Sequence, residues 1–103
     1  MTYVILTSKD GIFRTELDKN LRPIEAWDYL FYGARRAHFV VAELLAETRI
    51  RIVDHQSPPN VNLVPSKLLE HFDTIEDARR ELTTLTSFGR MDTQLRRAEC
   101  PCA

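Results

Sequence analysis

Few side chains in this 103-residue chain have the type and spacing for chemistry. Cys100-Pro101-Cys102 places two thiols one residue apart, which suits a soft metal ion or a thiol pair that responds to oxidation. A closed zinc site takes four ligands, so Cys100 and Cys102 need His55 or His71, or a second copy of the chain, to complete one. Their spacing also differs from the Cys-x-x-Cys of common redox and zinc-ribbon motifs. Asp54-His55 precedes Ser57-Pro58-Pro59-Asn60, at a strand end of the kind where catalytic groups collect. Neighbours on an extended chain point to opposite sides, so adjacency makes no Asp–His pair, and no nucleophile stands in a recognisable elbow. His38 falls in an apolar run, where desolvation opposes its ionisation. A core histidine with a satisfied hydrogen bond is the plainer reading there, beside metal binding or proton transfer. No catalytic residue is assigned and no cofactor is expected, because Gly11, Gly33 and Gly89 are dispersed and form no phosphate-binding loop.

Binding chemistry is better represented. From Pro23, which suits the first turn of a helix, Trp27, Leu30, Phe31, Ala34, His38, Val41, Leu44 and Leu45 recur at helical spacing. That pattern predicts a long helix over about residues 24–47. Gly33 and the strand-like Ala37-His38-Phe39-Val40-Val41 argue instead for two strands. On the helix, Tyr29, Tyr32, Arg36 and Phe39 form a second, aromatic face, the composition enriched at protein interfaces. These four are the expected partner-binding residues, for a protein partner or a second copy. Arg35-Arg36, Arg49, Arg51, Arg79-Arg80 and Arg96-Arg97 form a patch only if the fold gathers them.

The remaining elements are read from local pattern. Tyr3–Thr7 and Ile12–Leu17 flank Asp10-Gly11 and read as a β-hairpin. Residues 49–54 alternate Arg with Ile and read as a strand joining the hairpin. Residues 61–69 suggest an extended piece and one helical turn. Thr74 or Asp73 caps a helix with Ile75, Ala78, Leu82 and Leu85 on its core side, and residues 90–98 suggest another short helical turn.

The expected architecture is α+β in the order β-β-α-β-α, a small mainly antiparallel sheet packed against two helices. It occupies 1–98 as one domain, with 99–103 as a flexible tail. A formal charge of −1 disfavours general nucleic-acid binding. No apolar run approaches the roughly 18 residues a membrane helix needs, and there is no signal-peptide pattern. A reducing cytoplasm is the expected compartment. No reaction is named by these residues. They fit a small accessory or regulatory binding protein that docks on a partner or on itself, with a metal- or redox-linked protein as the alternative.

Overall fold

A computed structural model describes residues 1–56, 58–87 and 91–100. Its described elements run β1 (Tyr3–Ser8), β2 (Phe13–Thr15), β3 (Leu21–Phe31), β4 (Ala34–Leu44), β5 (Arg49–Asp54), β6 (Val61–Pro65), a 3-10 turn at Ser66–Leu68, α1 (Ile75–Thr86) and β7 (Thr93–Ala98). All strand pairs are antiparallel. They form a four-stranded sheet in the order β1-β4-β3-β7 and a three-stranded sheet in the order β2-β5-β6.

The expected two-helix architecture is therefore wrong. Residues 24–47 hold most of β3 and β4, so the long helix does not exist, and residues 93–98 form a strand rather than a helical turn. Two-sided burial explains the misreading. Ala37, Phe39 and Val41 of β4 pack with Ala78 and Leu82 of α1, while Val40 and Ala42 pack with Ile50 of the smaller sheet. A strand buried on both faces loses the alternation that marks a half-buried one, and a continuous apolar run can mimic a helical stripe. Register shifts between Pro23 and Glu25 and between Tyr29 and Leu30 disturb the period further. Pro23 belongs to the first of these bulges, a place where strands tolerate proline.

The first two strands also behave differently from a hairpin. Gly11, at φ 75°, permits the tight turn, and Lys9 and Phe13 form a single bridge. Beyond it the strands part, β1 to β4 and β2 to β5. The turn is thus a corner that carries the chain from the larger sheet to the smaller one. Thr15 pins it, its N–H donating to Ser8 Oγ at 2.9 Å and its hydroxyl to the Thr7 carbonyl.

The result is three layers: α1, the four-stranded sheet, and the smaller sheet. Strand β5 keeps Ile50 inside at 1% exposure while Arg49 and Arg51 stay exposed. Thr74 caps α1 by accepting the Asp77 N–H at 3.0 Å.

Candidate functional site

Strands β3 and β4 are joined by Tyr32-Gly33, at φ 50° and 81°. Two positive φ angles in a two-residue loop are those of a type I′ turn, whose twist matches the strands. Glycine or asparagine normally fills such positions, and a bulky side chain there is strained. Tyr32 is held nonetheless, its N–H donating to the Asp92 carbonyl at 2.8 Å. Its ring stands 63% exposed and meets Phe31 edge-on at 4.7 Å. The Arg36 guanidinium lies 5.7 Å from the centre of the Phe31 ring, within cation–π range. Next to Asp92, Met91 is 52% exposed.

Of the four residues expected to bind a partner, this turn brings together only Tyr32 and Arg36. Tyr29 and Phe39 lie on the face of the sheet that meets α1, and Phe39 is 6% exposed. The aromatic helical face is dissolved by strand geometry, because Tyr29 and Phe39 now share a buried face while Tyr32 sits in a turn.

A second cluster crosses the sheet on the opposite face. Ser8 of β1 is in register with His38 of β4, His38 with Asp28 of β3, and Asp28 with Arg96 of β7. Residues in register share a face, so hydroxyl, imidazole and carboxylate stand in one row. His38 Nδ1 lies 2.7 Å from Asp28 Oδ1; since a carboxylate only accepts, Nδ1 donates and Nε2 is left for other work. Arg35 approaches the same oxygen at 3.5 Å and grips Asp10 with two bonds of 2.7 and 2.8 Å. That grip holds the Asp10 carboxyl below its ordinary value. His38, Ser8, Arg14 and Glu16 line a cavity of about 360 Å³ floored by Leu6, Leu17 and Val40. His38 has a hydrogen bond, to Asp28, but it is not the core histidine its apolar run suggested: its side chain is 26% exposed and stands at a cavity wall.

A buried carboxylate was also missed. Glu25 is 1% exposed on the α1 side of β3. Its oxygens accept from Arg79 at 2.8 and 2.7 Å and from Trp27 Nε1 at 3.1 Å, and Arg97 stands 3.4 Å away. The Arg79 hydrogen bonds hold its carboxyl below the ordinary glutamate value, against the opposing effect of burial. Arg97 also lies over the Trp27 ring at 5.2 Å. Nothing local in the sequence marks Glu25, because both arginines come from distant segments.

The other candidates stay apart. Asp54 Oδ1 accepts the Gln56 N–H at 3.2 Å, His55 is exposed, and His71 Nε2 lies 3.0 Å from the Ser66 carbonyl. Cys100 is half-buried, and Cys102 lies outside the described residues. Among the described residues no three His, Cys, Asp or Glu gather as metal ligands. The arginines are dispersed over separate carboxylates, Arg35 on Asp10, Arg51 on Glu16 and Arg79 on Glu25. No helix among the described residues is long and apolar enough to cross a membrane. No protein-family model matches the chain, and neither a curated protein nor a solved structure matches it significantly.

Proposed function

We propose that this is a small accessory or regulatory protein of the cytoplasm that docks on a larger protein partner through the β3–β4 turn. The observation that carries the reading is Tyr32, an aromatic residue 63% exposed at φ 50°. A residue held in a disfavoured conformation without burial in return points to a use outside the fold. Its neighbours have matching chemistry. Tyrosine, phenylalanine, methionine and arginine are enriched at interface centres, and Phe31, Tyr32, Arg36 and Met91 supply all four. A convex turn fits a cleft on a partner better than it fits a second convex turn, which favours a different protein over self-association. The net charge of −1 gives no phosphate-neutralising field, so a protein is the partner class rather than a nucleic acid. The paucity of cysteines supports the compartment.

Native mass spectrometry of the protein purified from its source cell tests this. Wild type is expected to carry a partner mass, and Tyr32→Asn to lose it while remaining folded, because asparagine tolerates the turn. A complex that survives both Tyr32→Asn and Arg36→Ala, or a wild type found only as bare monomer, overturns the reading.

A further inference from the structure

The cavity beside His38 adjoins a second, apolar space that no part of the docking reading uses. This space, about 210 Å³, lies between β1 and the smaller sheet and is walled by Phe13, Ile50, Ile52, Val64 and Leu69. Leu6 and Thr15 line both spaces, so a polar space, the vestibule, lies next to a hydrocarbon-lined chamber. Such a concave, mostly apolar site with a few convergent polar groups is the usual form of a small-molecule site.

The polar groups specify the sign of the ligand. Arg14 makes only a 3.8 Å contact with Glu16, whose other oxygen is held by Arg51 at 2.7 Å. The Glu16 charge is therefore already balanced, and the Arg14 guanidinium retains donors for a second acid. Ser8 Oγ accepts from the Thr15 N–H, which leaves its hydroxyl hydrogen to donate. The His38 ring, held at Nδ1 by Asp28, forms a third polar side of the vestibule. Guanidinium and hydroxyl form a donor pair suited to a carboxylate head. The geometry points to a binding site for a small monocarboxylate with a short aliphatic chain, its head at Arg14 and Ser8 and its chain reaching past Leu6 and Thr15 into the apolar chamber.

Isothermal titration calorimetry of the full chain with butyrate, hexanoate, octanoate and 1-octanol tests the site. Octanoate is expected to bind saturably at one site, with Kd tightening about fourfold for each methylene from butyrate upward. Arg14→Ala, a change at an exposed residue, is expected to weaken octanoate about tenfold, as loss of a charge-assisted bond would, and to leave octanol unchanged. Val64→Phe, which fills the chamber, is expected to abolish the chain-length dependence while the circular dichroism spectrum stays that of the wild type. Absence of saturable octanoate binding at millimolar concentration overturns the site. Equal binding of octanol and octanoate, with no effect of Arg14→Ala, overturns the carboxylate head. A Kd independent of chain length in the wild type overturns the chain's place in the chamber.

Discussion

Glu25 and Arg79 show how one side chain can tie two layers together. The carboxylate, buried on the sheet, is met by a guanidinium on α1 through two bonds. Removing one partner of a buried pair leaves the other charge uncompensated, so Arg79→Ala is expected to cost about 3 kcal/mol. The cost is no larger because Arg79 is half-exposed and Arg97 stays within reach of Glu25. Arg80, one residue on, pairs with Asp77 at 3.1 Å on the open face of the helix. Arg80→Ala is expected to change stability by less than about 0.5 kcal/mol, and urea unfolding of the two variants makes the comparison. The same carboxylate sets a pH dependence. Its pKa is lowered in the folded protein from 4.5, so the unfolded chain takes up the proton first. The stability it contributes is complete above the unfolded value and is lost as pH falls through the lower folded value. The urea midpoint should therefore drop from about pH 5 downward, and Glu25→Gln should flatten that acid limb. A limb as steep in Glu25→Gln as in wild type would assign it to other carboxylates.

At the scale of elements, the β3–β4 hairpin depends on its two-residue turn. A Cβ on Gly33 meets nothing within 4 Å, so Gly33→Ala carries no clash and only the backbone cost of φ 81°. That cost is about 1–2 kcal/mol, read as a lowered thermal midpoint. Tyr32→Asn has the opposite sign, a gain of up to about 1 kcal/mol, so the variant that should lose the partner should also be no less stable than wild type. Helix α1 carries its own start signal, and Thr74→Ala is expected to lose about 1 kcal/mol with the Asp77 N–H left uncapped. Elements with such local signals were legible: the helix from Ile75 and the strand Arg49–Asp54 lie where capping and alternation put them. Strands β3, β4 and β7 were not, since their pattern is set by what lies on each face. Leu95 faces the α1 side and Ala98 the smaller sheet, yet Thr93–Ala98 alone has no clear period.

The whole molecule shares one central sheet between two apolar layers. Leu82, fully buried on the α1 side, and Ile50, 1% exposed on the other, belong to different clusters. Each truncation to alanine is expected to cost about 2–5 kcal/mol. Because both clusters are built on β1, β3 and β4, neither layer should unfold alone. Trp27 packs on the α1 side, so its fluorescence in Ile50→Ala should report the same urea midpoint as far-UV circular dichroism. Separate midpoints would make the smaller sheet an independent unit.

By itself the sequence determined the features whose physics is local: the Asp10-Gly11 turn, the Thr74 cap and the alternating Arg49–Asp54 strand. Tyr32 and Arg36 were singled out by residue type, though the face they share was assigned to the wrong element. Tertiary structure decided the rest. Whether Tyr29 and Phe39 face a partner or α1 depends on what packs on the sheet. The row of Ser8, His38 and Asp28 exists only because strand register brings residues of three segments side by side. Glu25 likewise meets Arg79 and Arg97 across long stretches of chain. Pairing between distant segments is fixed by the burial of both faces of the central sheet at once, a condition that no local window of residues contains.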